Sequence, residues 1–265
     1  MTTAPLPHPV AAAHTRDMNI TGNTIFIPGA TSGIGLALAL RLQAAGNTVV
    51  IGGRRGDVLQ HLAAQHGLST VTIDTTDPAS VLTARDQVLA EHGDLNVLIA
   101  MAGVMDAEDV RGAGFLAVAE RIVETNINGP LRLVAAFIEH LQTRPDATLM
   151  TVSSGLAHTP LMYTPTYNGT KAFIHQYSET IRMQLAATTV QVIELVPPAV
   201  QTELMAGNSV NEHFMPLDAF ADEVMGLLQA QPDAREILVD TVKFLRFAEV
   251  EGRYAAAVAA LNPAA

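Results

Sequence analysis

The sequence predicts an α/β fold, a doubly wound parallel sheet of about seven strands flanked by helices. Two observations support this prediction. Short apolar runs alternate with longer helical stretches along most of the chain, and a glycine-rich turn joins the first apolar run to the first helical stretch. Strands that alternate with helices are joined by right-handed crossovers and are therefore parallel, and parallel strands buried on both faces are apolar throughout. At 265 residues, the chain is long enough for one domain with a sizeable core.

The predicted strands are apolar runs short enough to cross a sheet once. We predict them at residues 24–28, 48–52, 70–73, 96–100, 148–152, 190–196 and 236–239. The stretches between them are rich in residues of good helix propensity, such as Ala and Leu. We predict helices near residues 34–45, 56–66, 79–92, 115–142, 167–187, 217–230 and 243–260. No repeat or internal linker interrupts this alternation, so we predict that residues 20–265 form a single domain.

The chain begins with a segment, residues 1–17, that is rich in Ala, Pro and His. It has no basic start followed by an apolar core, so it does not resemble a secretory signal. We interpret residues 1–19 as a flexible N-terminal tail. Met18, just before the first strand, is a candidate for the natural start of the protein.

Composition argues against several classes of function. Apolar residues make up 49% of the chain, too many for a disordered protein, and no uninterrupted apolar run reaches the ~18 residues of a membrane span. The net charge of −11, with no compensating basic stripe, argues against a nucleic-acid partner. Without cysteine there is neither a disulfide framework nor a thiolate metal site, which fits a cytoplasmic location.

The turn after the first strand is the first functional signal. Its glycines allow tight turning and close approach of a ligand to the backbone, and the helix that follows offers free N–H groups and the positive end of its dipole to a pyrophosphate. A second strand comes after that helix, as in a nucleotide-binding unit. A purely structural turn is the alternative. The residues that we predict to bind a nucleotide here are Gly29, Thr31, Ser32, Gly33, Ile34 and Gly35.

The residues after the second strand indicate which nicotinamide cofactor binds. A site for NAD usually places an acid there for the ribose hydroxyls, whereas NADP requires a cation for the 2′-phosphate. This chain has Arg54 and Arg55 at that place, and no acid appears before Asp57. Two guanidinium groups can hold a phosphate through charge-assisted hydrogen bonds. We therefore predict NADP(H); a solvated pair at the start of the next helix is the alternative.

The pattern that carries the chemistry is Tyr167 four residues before Lys171, with Ser154 thirteen residues before the tyrosine. Positions i and i+4 share a helix face, so the phenol and the ammonium can face one ligand. A nearby positive charge favours the phenolate and lowers a tyrosine pKa from its ordinary value near 10. General acid–base chemistry requires such a group, and an ordinary helical Tyr–Lys pair is the alternative.

Together, these motifs resemble the short-chain dehydrogenase/reductase superfamily in its single-domain form. The segments that begin at Val152 and Val196 are most similar to DltE-like oxidoreductases, and the resemblance covers residues from about 20 to 262. It implies a Rossmann-type sheet with the strand order 3-2-1-4-5-6-7. It also implies that Ser154 holds the oxygen of a carbonyl, that Tyr167 delivers or removes the proton, and that Lys171 binds the ribose and tunes the tyrosine.

The resemblance implies roles for further residues. Asp74 matches an acid that contacts the adenine, with Thr75 beside it, although a helix-capping Asp is the alternative. Asn126 matches a helix asparagine that anchors a water leading to the lysine; a satisfied polar residue in a kinked helix is the alternative. The other matched positions in the cofactor site are Ala102, Gly103, Pro197, Val200 and Thr202.

Two departures from the family pattern lie where the first and fourth strands end. Pro28 stands where Thr is usual before the first glycine, and proline has no backbone donor. Ala100 and Met101 replace two asparagines. We expect apolar packing to replace a polar tie between the two strands.

The predicted function is transfer of hydride between NADP(H) and a carbonyl or secondary-alcohol substrate. Leu, Met and Phe residues in the segment 203–215, together with Met105 and Met162, suggest an apolar substrate pocket. A regulatory protein that binds NADP(H) without turnover is the alternative. A sugar-nucleotide epimerase or dehydratase fits less well, because the chain is short for one. The apolar helices near 115–142 and 167–187 predict a homodimer or homotetramer, and the histidines show no metal-ligand spacing.

Overall fold

The computed structural model describes residues 19–263. The prediction of an N-terminal tail, including Met18 as a start, therefore falls almost wholly outside the described residues. Within them, the strands are β1 (Thr24–Pro28), β2 (Thr48–Gly53), β3 (Ser69–Thr72), β4 (Val97–Ala100), β5 (Ala147–Val152), β6 (Val190–Leu195) and β7 (Glu236–Ile237). They form one parallel sheet in the order β3-β2-β1-β4-β5-β6-β7, which confirms the predicted order.

Helices connect the strands along the chain. They are α1 (Gly33–Ala44), α2 (Gly56–His66), α3 (Pro78–Glu91), α4 (Leu116–Val123), α5 (Gly129–Leu141), α6 (Pro165–Gln184), α7 (Leu217–Ala230), α8 (Lys243–Arg246) and α9 (Tyr254–Leu261). Each predicted strand is present, with ends that differ by one or two residues at most. Most of the strands could be predicted because they are runs of residues buried on both faces of the sheet, whereas β3 and β7 at its edges are partly exposed.

Two predicted helices differ from the structure. The helix predicted at 115–142 is α4 and α5 joined through a π-helical turn, Glu124–Asn128. The helix predicted at 243–260 is broken between α8 and α9, where Gly252 has a φ of 69°, a conformation that favours glycine. The predicted strand 236–239 is also shorter, since β7 has only two residues.

The core consists of an apolar cluster on each face of the sheet. On one face α1, α2 and α7 pack over strand residues such as Ile27 and Ile193. On the other, residues of α3, α5 and α6 pack around Phe26 and Leu149, which are fully buried. Because both faces are covered, the connecting loops gather at the ends of the strands, and a ligand site in such a sheet lies at the carboxyl ends.

No helix among residues 19–263 is both long enough and apolar enough to cross a membrane. The cytoplasmic location inferred from composition stays a prediction.

Candidate active site

A cavity of about 950 Å³ lies at the carboxyl ends of the central strands. Every residue predicted to bind the cofactor or to take part in catalysis lines this cavity except Asn126. The structure therefore brings the glycine turn, the paired arginines and the Ser–Tyr–Lys group together in one space, although they are far apart in the sequence.

The glycine turn requires glycine at its first position. Gly29 has a φ of 92°, and a Cβ there would lie 2.6 Å from backbone atoms of Ala102. Its amide donates to the carbonyl of Gly52 over 2.8 Å, which holds the turn against β2. The turn leads into α1 at Gly33, whose φ is 56°. The first amides of a helix have no acceptor within the helix, so those of α1 are available to an anion in the cavity.

The loop after β6 closes over this turn. Thr202 lies beside Gly33: a Cβ added to that glycine would be 3.5 Å from the threonine methyl group. Val200 is buried and forms a bridge with Met215, and the carbonyl of Pro197 accepts a hydrogen bond from the amide of Gly155. The loop thus connects the glycine turn with the residue that follows Ser154.

The two arginines after β2 are exposed at one end of the cavity. Arg55 precedes α2 and donates to the hydroxyl of Thr31 over 3.2 Å. Neither Arg54 nor Arg55 makes an ion pair with another residue in the range 19–263, whereas most arginines of that range do. Two guanidinium groups that make no ion pair within the described residues thus lie at the cavity.

Asp74 does not cap a helix, so the capping alternative is wrong. Its carboxylate accepts hydrogen bonds from the amide and the hydroxyl of Thr76, at 2.9 and 2.7 Å. These bonds, with the charge of Arg54, hold the pKa of Asp74 below its ordinary value, against the effect of burial. The residue that caps α3 is Asp77, which accepts from the amide of Ala79. Asp74 stays in the cavity wall next to the buried Thr75.

Tyr167 and Lys171 lie one turn apart on α6 and are both only 6% exposed. The ammonium of Lys171 donates to the carbonyl of Val152 over 2.8 Å and lies 5.5 Å from the centre of the tyrosine ring. Ser154 is 7% exposed, and its hydroxyl oxygen accepts the amide of Leu156 over 3.1 Å. A hydroxyl can accept and donate at once, so the hydrogen of Ser154 can be donated to a neighbouring oxygen in the cavity.

The titration behaviour of this group differs from the prediction. Burial raises the pKa of Tyr167 to about 12, and a hydrogen bond with Ser154 only partly opposes this. Burial also lowers the pKa of Lys171 to about 8, although the charge of Glu194 acts to raise it. The pKa of Tyr167 in the protein alone is therefore raised rather than lowered, because burial disfavours the phenolate, and the effect of Lys171 on it stays a prediction.

Asn126 is fully buried in the π-helical turn behind the cavity. Its amide oxygen accepts the backbone N–H of Val104, and its amide nitrogen donates to the carbonyl of Val104 and to the hydroxyl of Thr170. These contacts agree with the alternative of a satisfied polar residue in a kinked helix. The Asn126 amide oxygen and the Lys171 ammonium both lie next to Gly103. A Cβ added to that glycine would be 3.5 Å from the oxygen and 3.7 Å from the ammonium nitrogen.

Several residues of the site were not predicted. Glu108 accepts hydrogen bonds from the amide and the hydroxyl of Thr166, at 2.8 and 2.7 Å, and so fixes the first turn of α6 next to Tyr167. Leu245 and Leu261 reach the cavity from the C-terminal helices. No motif marked them, because they meet the site only through the fold.

The predicted apolar pocket is present, with one correction. Met105, Leu156 and Leu161 pack with Tyr167 in a separate apolar cluster, and Met205 joins them from the segment 203–215. Met162 is 62% exposed and is not part of the cavity wall. The wall around the phenol is thus mainly apolar.

Where strands β1 and β4 end, the departures from the family pattern agree with apolar packing. Ala100 is buried, and Met101 packs against the core cluster that contains α1. A Cβ on Gly35 would lie 3.0 Å from the Met101 side chain, so the methionine fills the space beside the glycine turn. Pro28 pairs with Gly52 at the end of β1.

Comparison with known proteins identifies related sequences and folds. A family model described as short chain dehydrogenase matches residues 23–213. An uncharacterized oxidoreductase, DltE, of Bacillus subtilis (strain 168) is 40% identical over 189 residues, which are 71% of this chain and 75% of that protein. An NADPH-dependent 1-acyldihydroxyacetone phosphate reductase of Schizosaccharomyces pombe is 31% identical over 192 residues, 69% of this chain and 61% of that protein.

Solved structures share the fold. The crystal structure of a short chain dehydrogenase from Burkholderia cenocepacia J2315 in complex with NADP has a TM-score of 0.78 and is 24% identical, covering 93% of this chain and 100% of that chain. This likeness confirms the doubly wound fold predicted from the sequence.

Proposed function

The chain belongs to the short-chain dehydrogenase/reductase family of oxidoreductases, with DltE-like relatives, and we propose on that premise that it transfers hydride between NADP(H) and a carbonyl or secondary-alcohol substrate. One observation carries the proposal. Ser154, Tyr167 and Lys171 lie together, nearly buried, in the cavity that begins at the glycine turn.

The residues around the cavity fit a dinucleotide. The glycine turn lines the cavity, and the first amides of α1 are suited to a pyrophosphate. Asp74 and Thr75 lie further along the wall, and Thr202 lies on the other side of the turn. We assign Asp74 and Thr75 to the adenine end, and Pro197, Val200 and Thr202 to the nicotinamide end. When bound, the cofactor supplies the hydride.

The preference for NADP(H) follows from Arg54 and Arg55. Both line the cavity and neither makes an ion pair with a carboxylate among residues 19–263, and no acid stands where NAD would require one. A 2′-phosphate at this point would form charge-assisted hydrogen bonds with one or both guanidinium groups. The Schizosaccharomyces pombe relative is described as NADPH-dependent, which agrees with this assignment.

The side chains supply the proton chemistry. The hydroxyl of Ser154, whose oxygen already accepts the Leu156 amide, donates its hydrogen to the carbonyl oxygen, where negative charge develops. Tyr167 donates its phenol proton to the same oxygen. The phenol, whose pKa burial raises to about 12, is protonated at neutral pH and can therefore act as the proton donor in carbonyl reduction. Lys171 keeps its ammonium near the phenol and toward the cofactor space beside Gly103.

The substrate that fits best is an uncharged carbonyl compound with an apolar body. The wall beside the phenol includes Met105, Leu156, Leu161 and Met205, and such a surface favours burial of apolar groups. The substrate carbonyl would meet Ser154 and Tyr167, and the rest of the molecule would lie against this wall.

A panel of aldehydes, ketones and secondary alcohols, followed by the absorbance of the reduced cofactor, tests the proposal. We expect NADPH oxidation with at least one apolar aldehyde or ketone. Tight binding of NADPH with no turnover on any member of a broad panel would instead support the regulatory alternative, a protein that binds NADP(H) without catalysis.

A further inference from the structure

Two histidines and two glutamates form a cluster outside the cavity described above. His158 follows Ser154 by four residues, and His175 lies one helical turn beyond Lys171 on α6. Glu194 is on β6, and Glu236 is its direct partner on the neighbouring strand β7. The sequence did not predict this cluster, because its members come from four separate elements and the histidines show no metal-ligand spacing.

The four side chains converge on one point. One ligand atom of each residue, a ring nitrogen or a carboxylate oxygen, lies within 4.8 Å of those of the other three. The rings of His158 and His175 meet edge to face, with their centres 4.5 Å apart. Parallel strands place paired residues on the same face of the sheet, so the carboxylates of Glu194 and Glu236 project toward the histidines together.

The hydrogen bonds in the cluster are incomplete. Nδ1 of His175 contacts both carboxylate oxygens of Glu194, at 2.9 and 3.1 Å, and Glu236 accepts two hydrogen bonds from Arg246. Nε2 of His158 is buried and has no hydrogen-bond partner among the described residues. A buried polar atom without a partner is unusual in a folded protein and calls for an explanation.

We propose that His158, His175, Glu194 and Glu236 bind one divalent transition-metal ion, with zinc as the best match. Imidazole nitrogens and carboxylate oxygens are both zinc ligands, and two carboxylates offset the charge of the ion, while Arg246, paired with Glu236, adds one positive charge beside the site. Glu194 is fully buried, and its negative charge beside that of Glu236 creates a site that a cation would stabilise.

The side chains must close slightly around the ion. Bonds of about 2.0–2.2 Å in a tetrahedral site place ligand atoms roughly 3.3 Å apart, whereas the largest separation here is 4.8 Å. Rotations of the side chains over about 1 Å bridge this difference. Arg246 can keep its bonds to Glu236, because each carboxylate oxygen has two lone pairs. The arginine would then orient the ligand, as partners of metal ligands commonly do.

Metal binding would connect four parts of the protein. The ion would tie the turn after Ser154 and the middle of α6 to the strands β6 and β7. A ligand that binds only the folded state raises the free energy of unfolding, so the metal should raise the melting temperature. None of the site's four residues lines the cavity, and the charge of Glu194, which acts on the pKa of Lys171, links the two sites.

Calorimetric titration of the chelator-treated, full-length protein with zinc chloride tests the proposal. The comparison uses wild type, His158→Ala, Glu236→Gln and His61→Ala. His158→Ala removes a ring whose Nε2 has no partner in the fold, so it should disturb folding least. His61 is an exposed histidine on α2 and serves as the matched control. Circular dichroism and a melting curve establish that each variant is folded.

We expect one zinc per chain in wild type and in His61→Ala, with a higher melting temperature when zinc is present. Affinity should fall at least tenfold in His158→Ala and in Glu236→Gln. If one of these two variants is unfolded, the other decides, together with the visible absorption of the wild-type protein loaded with Co²⁺. The proposal is overturned if wild type binds no zinc with defined stoichiometry, or if the folded cluster variants bind it as tightly as His61→Ala does.

Discussion

The ammonium of Lys171 donates a hydrogen bond to the backbone carbonyl of Val152 over 2.8 Å. This bond joins the middle of α6 to the carboxyl end of β5, two residues before Ser154. A side chain on a helix is thereby fixed against the strand that carries the serine. The contact explains how Ser154 and Tyr167, which belong to different elements, come to face one cavity.

Cofactor preference should depend on the two arginines after β2. We expect wild type to bind NADPH at least tenfold more tightly than NADH, a difference of about 1.4 kcal/mol. Replacing Arg54 and Arg55 with Ala should remove most of this preference by weakening NADPH binding alone. Fluorescence titration with both cofactors measures it, and Arg85→Ala, an arginine on α3 paired with Asp86, is the control. Equal dissociation constants in wild type would rule out the NADP assignment.

The affinity for NADPH should also depend on the charge of Lys171. Burial lowers the pKa of this amine to about 8, so the ammonium is present at pH 7 and is lost as the pH rises through about 8. If the ammonium holds the cofactor, affinity should be constant below that pH and fall above it. The pKa of Tyr167 is about 12, so the phenol does not titrate in this range of pH. Besides burial, the charge of Glu194 acts on the pKa of Lys171.

Lys171→Met provides the comparison for this pH dependence. It should bind NADPH more weakly than wild type at pH 7 and show no such fall between pH 7 and 9.5. An affinity of wild type that stays level up to pH 9.5 would show that the ammonium does not contact the cofactor.

Much of the sheet could be predicted because buried parallel strands leave a direct mark in the sequence, a run of apolar residues such as that of β1. The errors lie where local pattern and tertiary packing disagree. Residues 115–142 have continuous helical character, so the π-helical turn at 124–128 could not be seen; it is associated with the bonds of Asn126 to Val104 and Thr170. Gly252, which interrupts the last helix, was not recognised as a break.

Assembly is the third property that we can predict. The outer face of α6 exposes small and apolar groups, including Gly169, Ala172 and Phe173, and Leu116 and Val123 are exposed on the adjacent α4. A second copy of the chain would cover this face and form a homodimer or part of a homotetramer. Phe173→Asp should shift the protein toward a monomer in sedimentation velocity. Val250→Asp, at an exposed position away from these helices, should not.

A wild-type protein that sediments only as a 28.0 kDa species at micromolar concentration would contradict this assembly.

The sequence was most informative about the site where chemistry requires particular residues at fixed spacing. Tyr167 and Lys171 share a helix face, and the glycine turn enters the same cavity, as predicted. Electrostatics could not be predicted in the same way. The pKa of Tyr167 is set by its burial within the fold, which no spacing in the sequence expresses. Contacts between distant segments also determine the role of Glu108 at the start of α6. The same is true of the cluster of two histidines and two glutamates.

Single-turnover hydride transfer in wild type and Tyr167→Phe tests the proposed chemistry most directly. The substitution deletes only the phenol oxygen, so the ring should still pack and NADPH should still bind. With a carbonyl substrate that wild type reduces, we expect the rate in Tyr167→Phe to fall by about 10²–10⁴, the contribution of a general acid. If the variant keeps more than about a tenth of the wild-type rate, a change of less than about 1.4 kcal/mol in the barrier, the proton donor is another group and the account is contradicted.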